Sequence, residues 1–361
     1  MNFDDRPYTE LTVPRVSVII SSYNGERFIA EAVKSILQQT FRRFELIIVN
    51  DASSDGTSRI LGEFDDDRIT VLNNSTNRGI AASQNKAIAS ARGDYLALMD
   101  HDDISLPERL QVQVDFLDGH PEVGMVGSNC ICIDENNIAR SVSNYPADDA
   151  FLKWYPLLCA CPFFHTSLMI RRSAMEKVGG YTGNYLFAGD YELISKLTDS
   201  CVVANLAQPL VKWRVHSTST SNANSQKLSD EALDISRQNV KAVLGNGELD
   251  ESAWQGLRAL LMSSPTAQVN ISSKQANASI SLLLHLQGRF YHRHAFAPGT
   301  INKHRRHVYW VWGRHFLALA YRRNGSRNPT CRLTLLKWSW KLLTAVVSSA
   351  QINLSKSVPN S

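Results

Sequence analysis

Residues 16–57, VSVIISSYNGERFIAEAVKSILQQTFRRFELIIVNDASSDGT, decide the fold. They open on a short apolar, β-branched run at 16–21 that reads as a strand. SYNGE then turns the chain, and Phe28, Ile29, Ala32, Val33, Ile36 and Leu37 follow at helical spacing. FELIIVN (44–50) begins the next cycle, passing through DASSDGT into a further helix. Two more cycles follow, RITVL (68–72) leading through NNSTNRG to IAASQNKAIASAR, and YLALM (95–99) leading through DHDD to LPERLQVQVDFL. Near-continuous apolar strands alternating with helices predict an α/β domain with a parallel sheet covered on both faces. Ligands of such sheets bind beyond the carboxyl ends of the strands. Here those ends carry Ser21 to Asn24, Asn50 to Ser54 and Asp100 to Asp103.

Working outward, residues 123–220 are less periodic, with strand candidates at GMVGSNCICI, TSLMIRR, CVVANL and PLVKWRV and one helix starting at Asp190. They are expected to complete the sheet and the acceptor side of the cleft. A Ser/Asn-rich stretch, STSTSNANSQ (217–226), marks a boundary between a catalytic domain, 1–220, and a helical region, 221–361. Helices are expected at about 228–244, 251–262, 274–292, 303–323 and 333–349.

Charge divides the chain at the same place. Residues 221–361 hold 18 Lys or Arg against 6 Asp or Glu, and residues 1–220 hold 20 against 28. From Ser252 onward there are 15 basic residues and no acidic one, which points to an anionic partner for this region. Trp310, Trp312, Trp338 and Trp340 lie there among Arg and Lys. Val308, Trp312, Phe316 and Leu319 share one helical face, as do Leu336, Trp340, Leu343 and Val347. Such faces suit an anionic membrane interface, or they pack against the catalytic domain or a second subunit. No nucleic-acid-binding fold is recognisable.

At 361 residues, 43% hydrophobic and 20% charged, the composition excludes global disorder and a collagen-like chain. No run of about 18 uncharged apolar residues occurs, and MNFDDRPYTE is not a secretory signal. A cytosolic location, with peripheral contact to the inner face of the membrane, is the expectation. The six Cys include two C-x-C pairs, which fit neither redox nor zinc spacing. Reduced thiols with a packing role are expected, Cys130 and Cys132 sharing one strand face.

Asp100, Asp102 and Asp103 put three carboxylates within four residues at a strand end, where they repel unless a cation offsets them. Mg2+ or Mn2+ suits such a site, since it binds through one or two carboxylates plus substrate phosphates. Asp103 or Ser105 instead caps the helix starting near Leu106. Asp51, at the end of the second strand, reads as a turn residue or as an acceptor for a base or ribose. Asn77-Arg78-Gly79 opens a helix where amides and a guanidinium can meet a diphosphate, though Arg78 equally reads as a surface charge. Asp190 is a helix cap or a general base. His216, ending an apolar strand, is a metal or phosphate ligand or a strand-end residue. His165 reads as structural.

Taken together the segments resemble glycosyltransferase family 2, the inverting nucleotide-sugar transferases of the GT-A fold. The pieces that carry the resemblance stand in family order: residues 16–57 above, NRGIAASQNKAIASARGDYLALMDHDDISLPERL, HTSLMIRRSAMEKVGGY, GDYELISKL and WRVHSTSTS. It covers about residues 14–220. The resemblance implies that Asp51 contacts the nucleobase, with Ser22, Tyr23 and Asn24 lining the same pocket. It implies that Asp100 and Asp102, with His101 between them, hold ribose, metal and diphosphate, Asp102 being the first choice of metal ligand with Asp100 and His216 beside it. It implies that Asp190 takes the proton of the attacking acceptor hydroxyl. Family members often carry Glu-Asp where this chain has Gly189-Asp190. The activity so implied moves a sugar from a nucleotide-diphosphate-sugar to a carbohydrate or lipid-linked acceptor in bacterial surface polysaccharide assembly. A nucleotidyltransferase would need a glycine-rich basic loop after the first strand, which SYNGERF does not supply. A non-catalytic, membrane-docked scaffold on the same fold is the remaining alternative.

Overall fold

A computed structural model describes residues 13–217, 219, 224–245, 249–261, 271–321 and 329–355. The first cycles fold as β1 (Val16–Ser22), α1 (Ile29–Leu37), β2 (Phe44–Asn50), α2 (Thr57–Leu61), β3 (Ile69–Asn73), α3 (Ile80–Ser90) and β4 (Tyr95–Asp100). There follow β5 (Ile104–Ser105), α4 (Arg109–Gly119), β6 (Val123–Asp134), β7 (Ala139–Val142), α5 (Asp149–Trp154), β8 (Met169–Arg171), α6 (Arg172–Val178), α7 (Gly189–Ser200) and β9 (Val202–Val215). One sheet runs β3-β2-β1-β4-β8-β6-β9-β5, with β7 beside β6. The first four strands are parallel, whereas β8 is antiparallel to both β4 and β6 and β5 is antiparallel to β9. The parallel part is the one expected from the sequence; the rest of the sheet is mixed.

Register brings the polar strand ends together. Ser22 pairs with Asn50 and Ser21 with Asp100, so β1, β2 and β4 end on one edge. Side chains of a strand alternate between faces, and both faces here are buried. Val18, Ile20, Leu46, Ile48 and Met99 pack with α1 and α4, whereas Ile19, Ile47, Val49, Leu96 and Leu98 pack on the side of α3, α6 and α7. Continuous apolar runs, rather than alternating ones, are what such a sheet requires.

Gly93 locks the entry to β4. Its N–H donates to Ser17 Oγ at 2.8 Å, and a Cβ there would lie 2.6 Å from Ser17 N and 2.7 Å from Val16 C. Backbone cannot yield as a flexible side chain can, so Gly93→Ala is expected to destabilise the domain by about 1–3 kcal/mol. Urea unfolding checks this, and an unchanged midpoint would refute it.

The helical region comprises α8 (Ser225–Leu244), α9 (Glu251–Leu261), α10 (Ser273–His294), α11 (Pro298–Tyr321) and α12 (Pro329–Ser355). The chain divides into compact units Met1–Ile235 and Ser236–Ser361. The division therefore falls inside α8, not at residue 220. The reason lies in side chains: Glu231 and Asp234, early in α8, bond to residues 185–188 of the first unit, and Ile235 packs with Ala188 and Tyr191.

In the second unit Val308, Trp312, Phe316 and Leu319 are buried, so that face of α11 is packing surface. On α12 the face read from the sequence splits: Leu336 and Leu343 are half-buried and Trp340 is 73% exposed, while the side chain of Val347 lies outside the described residues. No helix among the described residues is long and apolar enough to cross a membrane. Cys130 and Cys331 are buried and the other four thiols half-buried, and none of the six forms a disulfide.

Candidate active site

The site is assembled where β1, β2 and β4 end. Asp51 N donates to Ser22 O at 2.8 Å, joining the ends of β1 and β2. The Asp51 side chain is buried and engaged with protein donors: Oδ1 accepts from Asn74 Nδ2 (2.7 Å) and Arg78 N (2.9 Å), Oδ2 from Gly79 N (2.9 Å). Its first observed role is thus to hold the Asn77-Arg78-Gly79 corner, with Gly79 at φ 84 where a side chain would be strained. Arg78 itself is exposed at that corner. Asn24 also adopts positive φ and clasps the facing loop, donating its N–H to Ser53 Oγ and accepting from Ser54 N. Tyr23 is exposed beside it.

Ser22 Oγ is buried without a hydrogen-bond partner. It sits against Gly25, where a Cβ would come within 2.5 Å of that oxygen and 2.7 Å of the His101 ring. The glycine lets Ser22, His101 and the SYNGE turn close on one another. An unsatisfied hydroxyl at a strand edge is a group a ligand can complete.

The acidic strand end is balanced by the protein itself. His165 Nδ1 lies 3.0 Å from Asp100 Oδ1, and His216 Nε2 lies 2.8 Å from Asp102 Oδ2. Asp103, completely enclosed, accepts Arg214 N at 2.7 Å. Arg109 is buried behind the cluster, donating to Leu98 O and Leu168 O; burial lowers its pKa to about 10, still charged at neutral pH. The three carboxylates therefore have hydrogen-bond partners within the fold and the Arg109 cation buried behind them, and a bound metal is not the only way to relieve their repulsion. The cap expected from Asp103 or Ser105 does not form: α4 starts at Arg109, Asp103 turns to β9, and Ser105 Oγ accepts from Gln39 Nε2.

Burial raises the Asp102 carboxyl, but the His216 hydrogen bond and the nearby His101 outweigh it and hold its pKa below the usual value. Burial, then Asp102 and Asp100, push Asp103 well above its own. No group of three or more Cys, His, Asp or Glu among the described residues surrounds a common point, so there is no complete protein cage for a metal. A Mg2+ or Mn2+ that takes one or two carboxylates and fills its shell with diphosphate and water needs none. Asp102 and Asp100 offer carboxylate oxygens for that mode, and His216 Nε2 lies beside them against Asp102 Oδ2 at 2.8 Å.

Asp190 is the second residue of α7. Dense protein surrounds its carboxyl, yet the residue keeps an open face to solvent. Burial raises its pKa; the nearby His165 and the Tyr191 N–H, which it accepts at 2.7 Å, act the other way, and Asp100 adds to the rise. No side-chain cap forms at Ala188; Glu231 instead holds the loop before α7, accepting from Leu186, Phe187 and Ala188 N–H. At Gly189 an added Cβ meets nothing within 4 Å.

His165, read as structural from the sequence, is joined to the acidic strand end. Its ring bridges Asp100 and Tyr181, with Nε2 2.6 Å from the Tyr181 hydroxyl. Burial disfavours its charge, but the Asp100 carboxylate prevails and raises its pKa. The contact spans 65 positions in sequence, and only the family-ordered segment HTSLMIRR hinted at it. His165→Phe removes both hydrogen bonds and is expected to lower kcat/KM by about ten- to a hundredfold. Tyr181→Phe, which leaves the Asp100 contact, is expected to cost no more than severalfold. Equal losses in steady-state transfer assays would refute this order.

The fold is that of the GT-A glycosyltransferases. The structure of S. aureus TarS 1–349 in complex with UDP-GlcNAc superposes with a TM-score of 0.55, covering 94% of this chain and 92% of that one at 16% identity. The chain belongs to glycosyl transferase family 2, whose model matches residues 17–179. An uncharacterized glycosyltransferase of Haemophilus influenzae is 31% identical over 66% of this chain and 76% of its own length. EpsE of Bacillus subtilis, which bears a glycosyltransferase name, is 40% identical over 46% of this chain; the match spans 60% of EpsE. The Escherichia coli UDP-Glc:alpha-D-GlcNAc-diphosphoundecaprenol beta-1,3-glucosyltransferase WfgD is 29% identical over 59% of this chain and 82% of its own length.

Proposed function

We propose that the chain is an inverting glycosyltransferase that moves a hexosyl or related sugar from a nucleotide-diphosphate-sugar to a carbohydrate or lipid-linked acceptor, in bacterial surface polysaccharide assembly. The observation that carries the reading is the convergence of Asp190, His165 and Asp100 beside the β1, β2 and β4 edge where a nucleotide belongs. The name of WfgD supports the donor and acceptor classes, since it specifies a UDP-sugar and a diphosphoundecaprenol-linked glycan for that protein.

Base and ribose occupy the pocket of Ser22, Tyr23, Asn24 and Asp51, and Arg78 reaches the diphosphate. Asp102, Asp100 and His216 would hold Mg2+ or Mn2+, which neutralises charge on the departing diphosphate. Asp190 takes the proton from the acceptor hydroxyl as that oxygen bonds to the anomeric carbon and the bond to the diphosphate oxygen breaks. The attack comes from the face opposite the leaving group, so configuration inverts. His165 and Tyr181 keep Asp100 in place throughout.

Nucleotide release from a panel of UDP-, GDP- and dTDP-sugars, with Mg2+ or Mn2+ and with chelator, tests the proposal. Metal-dependent release from one donor, accelerated by a lipid-linked glycan, is expected. Nucleotide binding without release under any condition would overturn it in favour of a scaffold.

A further inference from the structure

The helical unit ends in a pair, α11 and α12, joined face to face through Gly313 and Ser339, whose Oγ donates to Gly313 O at 2.8 Å. Inner faces of both rest on α9 and α10. His304 of α11 bonds the Tyr291 hydroxyl at 2.8 Å and His315 reaches Leu260 O, while on α12 Thr334 meets Ser273 and the Trp338 indole donates to Asn277. The faces of both helices turned away from these contacts are exposed. Along α11 the outer stripe is Lys303, Trp310, Arg314 and Leu317, flanked by Val311; along α12 it is Leu333, Lys337, Trp340 and Lys341.

The apolar members of these stripes are exposed to an unusual degree for large side chains: Trp340 73%, Leu333 59%, Trp310 45%. An indole left in water on a surface helix, with cations one turn away, is the signature of a group placed at an apolar-polar boundary. Arg314 already stacks over Trp310, 4.6 Å from the ring centroid. A groove edged by Asn302, Lys303 and Arg306 opens at the head of the same stripe. The charge on this face has one sign, because no Asp or Glu occurs from residue 252 to the end.

We propose that the outer face of α11 and α12 docks on an anionic lipid surface, with Trp310, Leu333 and Trp340 entering the interface and Lys303, Arg314, Lys337 and Lys341 lying at headgroup depth. A second copy of the chain is a poorer occupant, since a two-fold contact would set this basic face against itself. The inference stands independently of the proposed reaction, as docking is read without any substrate.

The test uses the full-length protein and sedimenting vesicles, either pure phosphatidylcholine or about one-third phosphatidylglycerol. The expected result is binding to the anionic vesicles alone, weakening with salt, and a tenfold or greater loss of partitioning in the Trp310→Ser/Trp340→Ser variant. Lys337→Glu/Lys341→Glu should act in the same direction. These positions are solvent-facing, so thermal melts and donor turnover should match wild type. Absence of binding to anionic vesicles, equal binding to neutral ones, or full retention in the double tryptophan variant would overturn the proposal. So would a concentration-dependent dimer abolished by the same variant, which would assign the face to a second copy.

Discussion

Asp190→Asn is expected to lower kcat for sugar transfer by roughly 10²–10⁴-fold, the range for loss of a positioned general base, with donor affinity close to wild type. The substitution keeps the shape of the side chain and an oxygen that can accept the Tyr191 N–H, so the start of α7 should stay intact. What disappears is the capacity to receive a proton. Because burial raises the pKa of this carboxyl, the active, ionised form gains population as pH rises through a value above the ordinary aspartate range. Wild-type activity should therefore show an acid limb displaced upward, and the residual activity of the variant should lack it. A variant within a few-fold of wild type, or one that retains the limb, would remove Asp190 from the chemistry.

Asp102→Asn should be nearly as damaging, with a loss of roughly 10²–10³-fold and of any stimulation by Mn2+. Asparagine is the informative choice, since alanine would leave the nearly enclosed His216 without the partner it now has at 2.8 Å. With asparagine the neighbouring structure can persist while the negative charge is gone. A measured deficit then belongs to the diphosphate and its metal rather than to a collapsed strand end. His216→Asn should fall between this variant and wild type. If Asp102→Asn kept full activity in Mn2+ titrations, the assignment of the metal to this carboxylate would fail.

The parallel half of the sheet was legible because its cause is local. β1, β2 and β4 are apolar on both faces, and each is followed within a few residues by polar turn chemistry, so strand, loop and helix follow from nearest neighbours in sequence. β9 was harder: CVVANL and PLVKWRV read as two strands because Pro209 interrupts them, yet the chain runs unbroken from Val202 to Val215 with irregular pairing opposite Ser128 and Asn129. β5, two residues long, carries no periodicity to read, whereas β8 falls within the strand candidate TSLMIRR. Among site residues, Asp100, Asp102 and His216 stood out by type and by strand-end position, and the structure joins His216 to Asp102 as neighbours. The role of His165 and the countercharge of Arg109 were hidden, since each depends on a partner brought near only by the crossing of strands. Asp51 shows a third case: the residue was recognised, but its engagement with the Arg78 and Gly79 amides depends on a loop 27 positions away.

The grip of Glu231 on the loop amides of residues 186–188 has a bearing on how relatives of this chain can be recombined. A chimaera joined at the Ser/Asn-rich stretch would keep every residue of the cleft and still detach the anchor of the loop that presents Asp190. Swapping the tail between homologues should succeed only with the seam placed beyond Ile235, so that Glu231 travels with its loop. In descent, too, the opening turns of α8 should have been inherited with the catalytic half, and the remainder exchanged more freely.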